Sequence, residues 1–310
     1  MFANSIFAHR YFLLLYLIPC AVVSPVNLLH CQPVSAASDI TSPVQVQVQA
    51  QALVQQALAA ELQGLRDTSH PMRYVLRKSS PRLTTSKEIF ETRDGDVARL
   101  VSIGDKPLSP ASDQQEQARL DGLLGDPGRQ RHRKQQEDED TGRALKVLSA
   151  LPTAFLYEDA GSADTTLGKV EKFTFRPNPA FSPPDLETQV LTEMAGSIWI
   201  DTAQRRITRL NGHLQRDVDF GWGILGRLNK GGWISIDQTY VGDGLWRTTR
   251  FQMVMSGRVL FKNRSFDTIE EETHFASVPA GLGYRQAIQM LRADSEGGSA
   301  GVASANAKRP

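Results

Sequence analysis

"GWGILGRLNKGGWISIDQTY", residues 221–240, holds five glycines and two tryptophans and suits a phosphate-cradling loop, an aromatic platform or a strand connection. A phosphate loop would lead into a helix N-terminus. Here Trp233, Ser235, Asp237 and Thr239 alternate instead with Ile234, Ile236, Gln238 and Tyr240, which is the period of a strand. "GRLNKGG" (226–232) then reads as the turn, its glycines supplying positive φ angles, and "RDVDFGWGIL" (216–225) as the end of the preceding strand. The stretch is a hairpin at the centre of a sheet.

The same texture runs outward from it. "MAGSIWIDT", "RRITRLNGHLQRDVDF", "LWRTTRFQMVMSG", "RVLFKN" and "SFDTIEEETHF" follow one another with hairpin-length links, the pattern of consecutive antiparallel strands. Upstream, "TAFLYED" (153–159) and "GKVEKFTFRPNP" (168–179) continue the β pattern, and the proline-rich 176–187 segment is a loop. Asp94-Gly95 sits between two alternating segments as a hairpin turn. Residues 47–66 place Leu53, Val54, Leu58, Leu62 and Leu65 at three- and four-residue spacing, an amphipathic helix. Between the β regions, 105–149 carries a basic cluster (Arg129–Lys134), an acidic one (Glu137–Asp140) and a short helix, "RALKVLSAL" (143–151), stopped by Pro152. The expected fold is mainly β with helices (α+β): a curved antiparallel sheet or half-open barrel of about eleven strands, with an N-terminal helix and a helical lid insertion at 105–149.

Lys plus Arg total 35 against 34 for Asp plus Glu, so no excess of positive charge marks a nucleic-acid partner. Residues 1–36 have a basic start, an apolar run from Tyr11 to Val23 and a small-residue cleavage site, the layout of a secretory leader. The run is too short for a membrane span, which needs about 20 residues. Residues 37–46 are a linker, 47–292 a single domain, and 293–310 a small, polar tail expected to be disordered. Both cysteines, Cys20 and Cys31, lie in the leader, so the mature chain has no thiol. The alternative takes "LLHC" as a lipoprotein box that makes Cys31 a lipid anchor, with His30 weighing against it. The expected location is the periplasm.

Among His70, His132, His213 and His274 none has metal-ligand spacing, and no GxSxG elbow or GxxxxGK[ST] loop occurs. No metal or cofactor is expected. Asp217 and Asp219 share a strand face, which a hydrolase could use; the plainer reading is a solvated face balanced by Arg209 and Arg216. What remains is apolar and aromatic: Trp199, Trp222, Trp233, Ile234, Ile236, Trp246, Phe251, Met253 and Met255, candidates for the wall of an apolar cavity and equally able to fill a core.

The runs "FRPNPAFSPPDLE" (175–187), "AGSIWIDTAQRRITRLNGHL" (195–214) and "VDFGWGILGRLNKGGWISIDQTYVGDGLWRTTRFQMVMSGRVLFK" (218–262) resemble the outer-membrane lipoprotein-sorting, LolA/LolB-like superfamily. The resemblance extends over residues 48–280 and is residue-level over 173–263. It implies a half-open barrel with helices as a lid over an apolar cavity, and members that bind lipid or lipidated ligands without chemical turnover. No site residue is carried over from it, and the 105–149 insertion is a departure from the carrier. The expected function is a non-enzymatic, monomeric binding protein of the envelope holding a lipid, acyl chain or lipoprotein segment. The alternative is a periplasmic sensor or protein-interaction module, with an exported hydrolase behind both.

Overall fold

Alternation of apolar and polar residues builds one antiparallel sheet. The computed structural model describes residues 43–166, 168–221, 225–260 and 262–293. The leader, Cys31, Trp222 and the tail beyond 293 lie outside them. Helix α1 (Pro43–Arg66) precedes β1 (Met72–Ser79), β2 (Thr84–Phe90), β3 (Val97–Ile103) and the short β4 (Lys106–Pro107). Two helices follow, α2 (Pro110–Gly125) and α3 (Pro127–Ala154), then β5 (Phe155–Thr165) and β6 (Gly168–Pro177). A short α4 (Leu186–Gln189) and a 3₁₀ turn lead to β7 (Met194–Asp201), β8 (Arg206–Leu214), β9 (Val218–Phe220) and β10 (Gly226–Leu228). The chain closes with β11 (Trp233–Gly242), β12 (Leu245–Val259), β13 (Lys262–Ser277) and a helix over 284–293, here α5.

The spatial order is β4-β3-β2-β1-β13-β12-β11-β8-β7-β6-β5. Its two ends do not pair, so the sheet is curved but not closed. β9 and β10 stand off this path as a ribbon, with β10 paired to β9 and β12. Two expectations change here. "GRLNKGG" is not a hairpin turn, because 226–228 is a strand that pairs with β9 and β12 and not with β11; only 229–232 turns, with Gly231 at φ 80°, and it links the ribbon to β11. "RVLFKN" is likewise not a strand of its own; it bridges the end of β12 and the start of β13.

The expected helix 143–151 is the end of a longer α3, and Pro152 lies inside it. The lost N–H falls in the final turn, where most carbonyls have no intrahelical partner in any case. Side chains take them instead: Thr153 Oγ1 donates to Ala150 O (3.1 Å), the Tyr157 hydroxyl to Leu151 O (3.0 Å) and Gln51 Nε2 to Pro152 O (3.2 Å). Each of α2 and α3 opens on a capping residue followed by proline, Ser109-Pro110 and Asp126-Pro127. The caps accept from Ser112 N (3.2 Å) and Arg129 N (3.1 Å), the usual answer to orphan N–H groups.

The sheet is covered on one face along β5–β12 and on both at the β2–β3 end, where the neighbours Ile89 and Phe90 are both buried. Val54, Ala57 and Leu58 of α1 and Val147, Leu151 and Ala154 of α3 pack on Phe173, Phe175, Ile198, Ile200, Ile234 and Met253. A second cluster joins Phe90 and Val97 to Leu120 and Leu123 of α2 and to Ala287, Ile288 and Leu291 of α5. The insertion also seals the β3 edge. Leu100 N donates to Glu116 Oε1 (2.8 Å), and Arg119 Nη2 donates to Ala98 O (2.5 Å). Gln130 Nε2 donates to the carbonyls of Asp94 (2.9 Å) and Gly95 (3.0 Å). Side chains of α2 and α3 thus do what a neighbouring strand would do, and they block edge pairing with another chain.

Candidate binding clefts at the end of helix α1

Strand alternation divides the sequence-selected residues between two faces. Ile234 (1% exposed), Phe251 (6%), Met253 (1%) and Met255 (2%) are buried on the covered face, with Ile236 packed against the same core. Trp199 and Trp233 point the other way. Trp233 is 36% exposed opposite the equally exposed Val254, and Trp199 is held between Lys172 Nζ and the Arg209 guanidinium, 4.2 and 4.9 Å from its ring centroid. Trp246 is buried (7% exposed), in edge contact with Tyr240 at the far end of β11 and β12. The structure therefore assembles the aliphatic and methionine set beneath α1 and α3, and it separates Trp199 and Trp233 from that set.

The open face explains the separation. One register row runs Lys172, Trp199, Arg209, Asp237, Arg250, Glu271, Arg77 from β6 to β1. Arg209 pairs with Asp237, Arg250 with Glu271 (2.6 Å), and Arg77 with Glu271 (3.1 Å) and Asp105 (2.8 Å). Opposite charges in facing positions suit a solvated surface. Trp199 is a cation-flanked member of that row.

Asp217 and Asp219 are both tied to Arg227. Arg227 grips Asp219 with two bonds, Nε to Oδ1 (2.6 Å) and Nη2 to Oδ2 (2.9 Å), and reaches Asp217 Oδ2 at 3.5 Å. That hydrogen bonding holds the Asp219 carboxyl below its ordinary range. Arg227 replaces the expected partners, because Arg216 pairs with Glu193 and Arg209 with Asp237. Asp219→Asn should unpin the β9–β10 ribbon and leave global stability little changed, as for exposed pairs. Amide exchange of Arg227 and Leu228 checks this; unchanged protection there would sink the assignment.

Ser69, His70 and Asp67 lie together between α1 and β1. Ser69 Oγ (2.8 Å) and Asp67 Oδ2 (3.2 Å) both meet the same nitrogen, His70 Nδ1. A relay needs nucleophile and carboxylate on opposite ring nitrogens, so this is a local turn. Ser69 bonding holds Asp67 down to about 2.

The covered face is apolar along β5–β12 and mixed along β13–β3, where Glu270, Glu272, Lys78 and Lys87 stand among Tyr74, Leu76, Ile89 and Ala98. Glu270 (2% exposed) pairs with Lys78 at 3.0 Å. Next to it, burial first, then repulsion from Lys78, Arg119 and Arg133, brings the Lys87 amine down to about 8 from 10.5. Below about 8 the lysine is charged in both states and the fold bears the cost. Between about 8 and 10.5 the unfolded chain binds the extra proton, so stability rises with pH. Lys87→Met should stabilise the fold by about 1–3 kcal/mol at neutral pH and flatten that rise. Urea unfolding at neutral and alkaline pH measures both, and a destabilised variant would refute the repulsion.

Two cavities flank the last turn of α1, with Gly64, Leu65 and Asp67 as their shared wall. One, of about 300 Å³, lies between α1, the β2–β3 loop and α3. Its wall carries Asp67, Glu91, Asp96, Glu137, Asp138 and Asp140 against Arg93 and Lys134, an acidic balance. The other, of about 260 Å³, lies between α1, the start of β8 and the β11–β12 hairpin, and Trp246 lines it.

The second cavity contains Glu61, which sequence reasoning missed. It occupies the buried stripe of α1 (Val54, Ala57, Leu58, Glu61, Leu65), where the spacing had favoured Leu62. Gln238 Nε2 donates to Glu61 Oε2 (3.1 Å), and Arg206 Nε stands 3.2 Å from Oε1 without hydrogen-bond alignment. Arg206 Nη1 also donates to Ala60 O (3.2 Å). Burial raises the Glu61 carboxyl above its ordinary range against the opposing pull of Arg206, Gln238 and a backbone bond from Ile207. A carboxylate at a position of apolar helical period was the signal available in the sequence.

These features define a class first: a helix-covered antiparallel sheet with polar clefts at one end. No protein-family model matches the sequence, and no curated protein matches it. Among solved structures, the chain is similar to a DUF1329 family protein from Desulfovibrio piger, at 11% identity and TM-score 0.28 over 76% of this chain and 95% of that one. It is similar to an outer-membrane lipoprotein-sorting protein domain from Vibrio parahaemolyticus, at 11% identity and TM-score 0.24 over 75% and 97%. A third likeness is to MucB in complex with MucA(peri), at 9% identity and TM-score 0.21 over 72% and 94%.

Proposed function

We propose that this chain is an exported, non-enzymatic binding protein of the bacterial envelope that accommodates an acyl chain or the apolar segment of a lipoprotein on the sheet face beneath α1. Export rests on the leader-like residues 1–36. The observation that carries the binding reading is the Ile234, Ile236, Phe251, Met253 and Met255 surface, whose cover is helical rather than a second sheet. Helix α1 crosses it with a charged residue in its buried stripe, a weaker seal than a leucine there would make. A ligand chain would take the place of α1 side chains, each buried methylene contributing about 0.8 kcal/mol. Met253 and Met255 suit it, because unbranched thioethers repack around irregular apolar shapes.

Native mass spectrometry of the full chain purified from an envelope fraction tests the reading. Fatty acid or lipopeptide adducts are expected, and they should weaken in Met253→Asn. Protein that arrives empty and takes up neither compound would remove the acyl reading. The interaction-module reading is favoured by the acidic 300 Å³ cleft. It expects an envelope protein with a basic segment to co-purify, and to be lost on Glu137→Lys with Asp138→Lys.

A further inference from the structure

We infer that the end of the β12–β13 hairpin docks on the surface of an anionic lipid bilayer. The inference stands apart from the acyl reading, since it places a membrane against the outside of the molecule and asks nothing of the surface beneath α1. β12 and β13, at 15 and 16 residues, are the longest of the described strands. Pairing with β11 stops where Trp233 faces Val254, and pairing with β1 stops where Ser79 faces Ile269, so the hairpin runs on past both neighbours. Five residues separate Val254, facing Asp267, from Val259, facing Lys262, which is about 17 Å of strand. The arm is braced on one edge. β10 pairs with residues 257–259, a side chain at Gly257 would overlap the Arg227 carbonyl, and Leu260 N donates to Leu225 O (3.0 Å).

What the arm carries selects the partner. Residues 255–266 include Arg258, Lys262 and Arg264 and no acid, and all three side chains are exposed. Asp217 and Asp219 of the adjoining ribbon are engaged by Arg227, and Asp267 stands behind the arm, opposite Val254. Val259 faces Lys262, so two residues make the turn, and Leu260 is the first of them, 51% exposed with φ 52°. Asn or Gly ordinarily fills such a position, and a leucine there bears a left-handed backbone as well as contact with water. Leu83, Ile103, Trp233 and Val254 are exposed toward the same end of the sheet; among the exposed large apolar side chains described, only Tyr240 stands at the other. A bilayer surface answers both features. Leu260 enters the boundary between headgroups and acyl chains while the surrounding cations rest on lipid phosphates, the combination that holds proteins at anionic membranes. A small anion would serve the cations and leave the leucine in water.

Co-sedimentation of the full chain with vesicles tests the docking, equimolar phosphatidylcholine and phosphatidylglycerol being compared with phosphatidylcholine alone. Preferential binding to the anionic vesicles is expected, weakening as salt is raised. Lys262→Ser with Arg264→Ser should lower that binding about 25-fold, about fivefold for each charge, and Leu260→Asn should lower it about tenfold. Asparagine suits positive φ, so the leucine variant keeps the turn, and circular dichroism establishes that each variant is folded. Arg205→Ser with Tyr240→Ser, at the opposite end of the sheet, should bind as the parent does. The leader-like residues 1–36 are common to all these chains, so hydrogen exchange locates the contact: residues 255–266 should gain protection on anionic vesicles. Equal binding to both vesicle types, tip variants that bind as the parent does, or no gain of protection over 255–266 would each overturn the inference. So would vesicle binding that requires an added envelope protein.

Discussion

Gly196→Ala should destabilise the fold by about 4 kcal/mol or more, a size that only a few mechanisms reach. Gly196 faces Gly212 across β7 and β8, in a row that runs Phe175, Gly196, Gly212, Ile234 on the covered face. A methyl at Gly196 would overlap the Asn211 carbonyl and meet the Phe175 ring at 2.8 Å. Backbone cannot yield as a side chain does, so the strands would have to part. Gly212→Ala is the informative contrast, because its nearest neighbour is the Met194 sulfur at 2.9 Å. A thioether can rotate away, and the cost should stay at about 1–2 kcal/mol. Urea unfolding followed by circular dichroism measures both. A Gly196→Ala protein as stable as Gly212→Ala would show that the two strands do not approach as described.

Arg206→Met should cost about 3–5 kcal/mol at neutral pH, the range for removing one partner of a buried pair. It leaves Glu61 in the interface of α1 with the Gln238 amide as its remaining side-chain donor. The pH dependence carries the proof. In the parent, Glu61 keeps its proton to higher pH in the fold than in the unfolded chain. Its effect on stability is therefore a loss as pH rises from the unfolded carboxyl range through the raised folded value, and a gain as pH falls through that window. Without Arg206 the folded value moves higher still. The variant's deficit should then shrink on acidification, since a protonated Glu61 needs no counter-charge. A deficit that is flat with pH would mean that Arg206 acts through packing alone.

The position of α1 makes this pair consequential for function. Glu61, Arg206 and Gln238 come from α1, β8 and β11, and they fasten the helix at the end where both clefts open. The acyl reading requires α1 to lift from the apolar surface. Arg206→Met should therefore raise uptake of acyl ligand.

Much of the architecture was legible in the sequence. Alternation from Met194 to Phe275 identified β7, β8, β11, β12 and β13 but not β10, and "DG" at 94–95 located the β2–β3 turn. The stripe of 47–66 gave α1 with its C-terminal end at Arg66. Local signals for α2 and α3 were also present, since Ser109-Pro110 and Asp126-Pro127 are capping residues followed by proline, but the polar, charge-clustered 105–142 stretch masked them. Helix α5 had no reading in the sequence, although Ile288 and Leu291 fill a core with α2.

Tertiary structure alone decided the rest. Period two places Trp199 and Trp233 on one face and Ile234, Met253 and Met255 on others in their strands, but it does not say which face the helices will cover; that depends on where α1 and α3 dock. The partner of Asp219 proved to be Arg227 rather than Arg216, because the β9–β10 ribbon folds back on itself. The polar cavity could not be read at all from local sequence, since Glu61, Arg206 and Gln238 stand 145 and 177 positions apart in their farthest pairings with Glu61. Sequence spacing determined the strands and the helix, because those follow from local geometry. The clefts exist only where distant elements meet, and long-range packing, not periodicity, sets that meeting.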